Sequence, residues 1–342
     1  MDAIAREVGQ QYAEIRGASG WEALGNAGGF SGSRVWRIAS AYGTFCLRAW
    51  PAARSTESVL AIHRWMTQAR LAGLPFVPRV VVASNHSTVI EAARRCWELT
   101  TWQCGRADFH ANPSASRLRA AMTALAQLHR AWRVDREAVG ASDAALRRLT
   151  ILSAWERDCL QSLEVNCRRL QDQPLRELGS RALGQLRGLV SSARKAVEPS
   201  LHHRLPLQPC LCDIWHDHIL FDGDQVTGIV DYGSMHGAEC VAADLGRLLG
   251  SLVGDESALW EAAFDAYAEL RPLSAAERDL ARLLDWTGAV VSVGHWLEWL
   301  GNDRLSPAYL PAAVRRFEML VARLESWNEN AHGQAPVGIV VD

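Results

Sequence analysis

Apolar positions along the chain change period several times, and each change predicts an element. Ile4, Val8, Tyr12 and Ile15 recur at helical spacing, so residues 1–15 read as an amphipathic helix. Trp21–Leu24 reads as a strand, Arg34–Ile38 alternates as a second, and Thr44–Trp50 forms a third after the turn at Gly43. Between the first two lies the glycine-rich run Gly28, Gly29, Ser31, Gly32. Helical spacing returns at Val59, Ile62, Trp65, Met66 and Leu71, which predicts a helix over 55–72. Pro75 and Pro78 then break the chain, and three extended runs follow at 79–83, 88–91 and 96–102.

Beyond residue 104 the composition turns helical for about a hundred residues, with helices expected over 116–132, 143–167 and 175–196. The shift marks a boundary, giving domains 1–104 and 105–342. Near the C-terminus, Ser274 and Glu277 form a capping box opening a helix that reaches Trp299. Another helix follows Pro311, buried through Val314, Phe317, Leu320, Val321 and Leu324, and the chain is expected to fray from Asn328.

The densest signal is Gln208–Asp231. A strand ends in Cys212, a polar loop runs from Asp213 to His218, and the strands Ile219–Phe221 and Val226–Val230 flank Asp222-Gly223-Asp224. Asp-Gly between apolar runs favours a tight hairpin, because glycine tolerates positive φ. The fold-back brings the loop carrying Asp213 and His218 beside Asp231. A rival reading of the same stretch is a zinc site at Cys210, Cys212, His216 and His218, although Cys-x-Cys is not the familiar Cys-x₂₋₄-Cys spacing.

This stretch resembles the catalytic segment of the aminoglycoside phosphotransferase and choline kinase family. That family carries His-Gly-Asp, an Asn five residues later, a Leu-Phe strand, a hairpin and Ile-Asp-Phe-Gly. Here Asp213, Leu220-Phe221 and Val230-Asp231-Tyr232-Gly233 keep the spacing. Leu211-Cys212 stand where His-Gly is usual, and His218 stands where Asn is usual. The resemblance implies an α+β, bilobal protein-kinase-like fold: a small N-terminal lobe with a mixed sheet and a larger, mainly helical C-terminal lobe.

It further implies phosphoryl transfer from ATP or GTP with Mg²⁺ to the hydroxyl of a small molecule. Candidate acceptors are an aminoglycoside, a choline-like alcohol, a sugar or an amino-acid alcohol. Asp213 would be the catalytic base, Asp231 the main metal ligand and His218 a second metal or phosphate contact. The nucleotide would meet Gly28, Gly29, Ser31, Gly32 and Arg48, with its adenine along Glu98, Thr100 and Trp102. In the arrangement the resemblance implies, the third strand carries a cation, usually lysine, that holds phosphate oxygens. Lys195 is the only lysine in the chain, so Arg48 takes that place, and Glu57 is a candidate partner for it. Asp217, His295, Trp296, Glu298 and Trp299 are candidates for the acceptor, since aromatic faces and carboxylates suit an amine-bearing substrate. Trp296 and Trp299, three apart on one helix face, suit a helix core better than a substrate site. A catalytically silent relative that binds a nucleotide or metabolite is the alternative, motivated by the lost His-Gly and Asn.

Composition adds bounds. The 342 residues are 49% hydrophobic and 22% charged, as in globular proteins. A formal net charge of −2 gives no electrostatic reason to expect nucleic acid or a membrane surface as partner. The eight scattered Cys, with no secretory signal or membrane-length apolar run, read as free thiols in a reduced, cytoplasmic setting.

Overall fold

The structure, a computed structural model, describes residues 1–25, 32–133, 138–302 and 310–331. Gly28, Gly29 and Ser31 lie outside the described residues. The chain divides into two compact units: Met1–Arg133 with Asp213–Met235 and Glu256–Pro272, and Val134–Cys212 with His236–Asp255 and Leu273–Asp342. Residue 104 lies inside the first unit.

The first unit is built on five strands, β1 (Gly20–Gly25), β2 (Arg34–Ser40), β3 (Gly43–Ala49), β4 (Ile90–Ala92) and β5 (Arg95–Thr101), ordered β1-β2-β3-β5-β4. Every pairing is antiparallel. Alternation along β3 turns Phe45, Leu47 and Ala49 into the core, where they meet Trp97 and Leu99 of β5 and Val8, Tyr12 and Ile15. The N-terminal helical segment is split: helix α1 covers Asp2–Gly9 and a 3-10 turn covers Ala13–Ile15. Residues 79–83 contribute only the isolated bridge Val80–Thr100 rather than a strand. Because side chains alternate across a strand, Arg48 leaves β3 on the opposite face from Leu47, and its register partner is Glu98.

Helix α2 (Thr56–Leu71) is capped by Ser55, whose hydroxyl accepts from the Ser58 amide at 3.3 Å. Its buried face carries Val59, Ile62, His63 and Met66. Also in this unit are helix α3 (Ala115–Ala131) and the hairpin of β8 (Ile219–Asp222) and β9 (Gln225–Ile229). Asp222 pairs with Gln225, leaving the two-residue turn Gly223-Asp224, with Gly223 at φ +55°. Segment 104–106 is laced to this hairpin, since Arg106 and Phe221 exchange both backbone bonds at 2.9 Å.

The second unit is mainly helical: α4 (Asp143–Arg157), α5 (Gln161–Arg169), α6 (Gln173–Ser200), α7 (Ala242–Leu252), α9 (Ala275–Gly301) and α10 (Leu310–Ala331). Helix α8 (Ser257–Ala268) belongs to the first unit, packed on α3. The expected helix over 143–167 is two helices, because Cys159 and Leu160 turn left-handed at φ +51° and +62°. A three-stranded sheet ordered β10-β7-β6 (β6 Ala138–Gly140, β7 Leu205–Cys210, β10 His236–Glu239) completes the unit. Helices α7 and α9 meet closely because Gly246 and Gly250 face α9. A Cβ at Gly246 would strike the Ala281 carbonyl, and one at Gly250 the Asp285 carboxylate. Arg323 of α10 pins this layer, donating to Asp285 and Asp255 at 2.6 Å each. Among the described residues, no helix is long and apolar enough to cross a membrane.

Candidate active site

Two carboxylates, two arginines and an imidazole are brought together in the first unit by the sheet and the hairpin. Asp231 follows β9 and takes left-handed backbone angles, φ 61° and ψ 73°. Such a conformation costs a non-glycine residue about 1–2 kcal/mol and persists where surroundings impose it. Here the Asp231 carboxylate accepts from the Gly233 amide at 3.3 Å. A Cβ at Gly233 would sit 3.1 Å from Asp231 Oδ1 and 3.8 Å from Arg48 Nη1, so the Asp-Tyr-Gly order leaves room for the pair they form.

Arg48 Nη1 donates to Asp231 Oδ1 at 3.2 Å. Its Nε also lies 3.8 Å from Glu98 Oε1, and its guanidinium stands 5.0 Å above the Trp50 ring. Arg54 covers Trp50 as well, at 5.2 Å, and donates to the Gly233 carbonyl. Partial burial pushes the Asp231 carboxyl up, but Arg48, His218 and the Gly233 amide together hold the group below its ordinary value. With 46% of its side-chain surface still exposed, Asp231 presents ionised oxygen to solvent. That is the donor a hard divalent cation prefers, so the residue fits Mg²⁺.

Arg48 is held from behind by residues the sequence did not reveal. Glu57, a candidate partner, is exposed in the first turn of α2. Glu98 takes that role from the neighbouring strand, and His63 of α2 bonds Glu98 at 2.6 Å and Thr88 at 2.8 Å. Burial pushes the Glu98 carboxyl up, while His63 and then Arg48 bring it below its usual value. The Glu98 side chain is therefore buried against Arg48 and His63. Thr100 is also buried, and Trp102 lies under the Arg37 guanidinium at 5.1 Å. The clue to His63 was a polar residue on the apolar face of α2, between Ile62 and Met66.

His218 stands beside Asp231 because its carbonyl accepts from the Val230 amide at 2.9 Å. Its Nε2 is 3.9 Å from Asp231 Oδ2 and accepts the Trp215 indole N–H at 2.8 Å. Indole can only donate, so Nε2 is the unprotonated nitrogen and its lone pair is engaged. Direct ligation of a metal through Nε2 requires giving up that bond. Asp213 is half-buried at the start of the same loop, and Asp217 is exposed.

In the second unit, Asp244 is fully buried and accepts the amides of Leu211 and Cys212 at 2.8 and 2.6 Å, fixing the backbone that leads into Asp213. Cys212 is left-handed at φ +63°, so the conformation suited to glycine persists although cysteine occupies it. Replacing Cys212 by Gly should raise stability by about 0.5–1 kcal/mol, as relief of strain outweighs added chain entropy. Denaturant unfolding reads this directly, and an unchanged midpoint would count against strain. Burial pushes both the Cys210 and Cys212 thiols up, and each sulfur donates to a backbone carbonyl. His295, Trp296, Glu298 and Trp299 all lie on α9 in this unit, with Trp296 buried against Trp299. His295 packs edge-on to Trp155 at 5.8 Å, and burial pushes its pKa down.

The match of residues 22–286 settles the class: the chain belongs to the phosphotransferase enzyme family (APH). A homoserine kinase from Methylocella silvestris (strain DSM 15510 / CIP 108128 / LMG 27833 / NCIMB 13906 / BL2) is 31% identical over 142 residues. That match covers 34% of this chain and only 43% of the kinase. Among solved structures, spectinomycin phosphotransferase APH(9)-Ia in complex with ADP and spectinomycin is similar, with TM-score 0.66 at 10% identity over 95% of this chain and 97% of that one. A choline/ethanolamine kinase family protein from Mesorhizobium loti gives TM-score 0.57 at 20% identity, covering 98% of each chain. At such identities the likeness is one of fold. The kinase-like α+β fold expected from Asp213–Asp231 is thus the observed one.

Proposed function

We propose that the protein transfers the γ-phosphoryl group of ATP, or GTP, to the hydroxyl of a small molecule. The observation that carries this is the meeting of Arg48, from β3, with Asp231, from the end of β9, at 3.2 Å. A cation from the sheet and a carboxylate from the hairpin converge where this family's chemistry needs both. Their mutual pairing balances the charges that a metal–phosphate pair would bring, since phosphate would take Arg48 and the metal Asp231.

Asp231 would hold Mg²⁺ through its carboxylate; bound there, the ion would neutralise and orient the nucleotide phosphates. Arg48 would grip phosphate oxygens, kept in place by Glu98, whose own position depends on His63. In this reading the Glu98 side chain orients Arg48 rather than touching adenine, and adenine recognition falls to the backbone near Thr100 and Trp102. Asp213 would take the proton of the acceptor hydroxyl as its oxygen bonds to the γ-phosphorus and the bond to the bridging oxygen breaks. His218, with Nε2 committed to Trp215, would act through water or a phosphate oxygen. Asp217 and the α9 group of His295, Trp296, Glu298 and Trp299 remain candidates for the acceptor. The glycine-rich run 28–32 would cover the phosphates.

The test is nucleotide turnover with Mg²⁺ and a panel of small alcohols: hydroxy amino acids, amino alcohols, sugars and aminoglycosides. Acceptor-dependent ADP formation, with phosphate recovered on the alcohol, is expected. A silent nucleotide-binding relative is the second reading, favoured by the Trp215 bond at the Asn position. It predicts Mg²⁺-dependent nucleotide binding with no acceptor-dependent turnover.

A further inference from the structure

Helix α4 carries an arginine, Arg148, that makes no ion pair among the described residues. Arg148 is half-buried, and its Nε has no hydrogen-bond partner and is shielded from solvent. Its Nη1 reaches only the Ala144 carbonyl of its own helix, at 3.5 Å, the outer limit of a hydrogen bond. The neighbouring Arg147 lies 3.5 Å from Glu239, but Arg148 makes no ion pair among the described residues. Burial, then repulsion from Arg247 and Arg147, push the Arg148 pKa down to about 10.

The two acids that feel this charge are committed elsewhere. Glu239 accepts from the Ser142 hydroxyl and the Ala144 amide at 2.7 Å each, and Asp285 is held by Arg323 at 2.6 Å. Opposite the guanidinium, α9 presents bare backbone: a Cβ at Gly288 would come within 2.9 Å of Arg148 Nη2. Seven residues further along both helices, Trp155 and His295 close the seam edge to face at 5.8 Å. A shielded cation without a counter-charge is costly, and such groups concentrate where a ligand supplies the missing charge.

We infer that Arg148, facing Gly288 between α4 and α9, is an oxyanion site that takes the carboxylate or phosphate of a small ligand. A planar guanidinium with its Nε and Nη2 donors uncommitted matches two oxygens of either group. Two sources could supply that anion: an acceptor bearing a carboxylate, or free phosphate. The acceptor source rests on the phosphotransferase reading; the binding itself does not.

The full chain and its Arg148→Gln and Arg148→Met variants would be titrated calorimetrically with inorganic phosphate, 4-hydroxybutyrate and the neutral 4-hydroxybutyramide. The wild type should bind at least one anion and not the amide, and Arg148→Gln should weaken that binding about tenfold to a hundredfold, with ATP affinity unchanged. Removing an unanswered cation should leave the melting temperature of Arg148→Met equal to or above wild type. A raised KM for 4-hydroxybutyrate in Arg148→Gln, with kcat unchanged, assigns the site to the acceptor. Loss of phosphate binding alone assigns it to free phosphate. Absence of any transfer would defeat the phosphotransferase reading and leave the titration readable. Anion binding absent from the wild type, or equal in Arg148→Gln, would overturn the site, as would a melting temperature lowered in both variants.

Discussion

Asp213→Asn should lower kcat by about 10²–10⁴-fold while leaving Mg²⁺–ATP affinity within about twofold of wild type. Asparagine keeps the shape and loses only the capacity to accept a proton as a base. Arg48, Asp231 and Glu98 pair among themselves, Arg48 with Asp231 at 3.2 Å and with Glu98 at 3.8 Å. The backbone before residue 213 is fixed independently, by the two amides donated to Asp244, so the loop's path does not depend on the Asp213 carboxylate. Single-turnover transfer on an accepted alcohol, beside calorimetric ATP binding, separates the two quantities. Wild-type turnover in the asparagine variant would remove Asp213 from the base role.

How much of this could be read from the sequence follows the range of the interactions. The hairpin was legible because Asp222-Gly223-Asp224 between apolar strands is a local instruction, and the turn forms at Gly223-Asp224. The capping box at Ser274 and Glu277 was legible for the same reason, and both of its bonds are present. Strands β6 and β10 were not, because three or four residues without alternation become strands only when β7 lies between them. In the candidate site, Arg48 and Asp231 were marked by spacing, but the partner of Arg48 was not. Glu57 was only a candidate from the order of elements, whereas the register of β3 on β5 puts Glu98 directly opposite. That register is set by which faces of two strands enter the core, a property no local pattern carries. His63 was hidden by its place on an apolar helix face, and the bond from Trp215 to His218 by a turn whose shape depends on β8 and β9.

Asp231→Asn should cost Mg²⁺-dependent nucleotide affinity at least about a hundredfold, since second-shell changes at metal sites alone cost ten- to a hundredfold. The metal-independent part of binding, carried by Arg48 and the backbone, should survive. The pH dependence follows from the same pair. Folding lowers the Asp231 pKa, so its contribution to stability is complete above the unfolded value of about 3.9 and is lost as pH falls below it. Mg²⁺-dependent binding should accordingly be limited by other groups between neutrality and about pH 5. Arg48→Met removes the largest of the interactions that offset burial, so the Asp231 carboxyl should rise and Mg²⁺-dependent binding should fail at a higher pH than in the wild type. Calorimetry of both variants with and without Mg²⁺, repeated from about pH 8 down to about pH 4, the unfolded carboxylate value, tests the pair as a unit. Equal Mg²⁺ dependence in Asp231→Asn and wild type would place the metal elsewhere. An unmoved pH profile in Arg48→Met would show that Arg48 does not set the ionisation of Asp231.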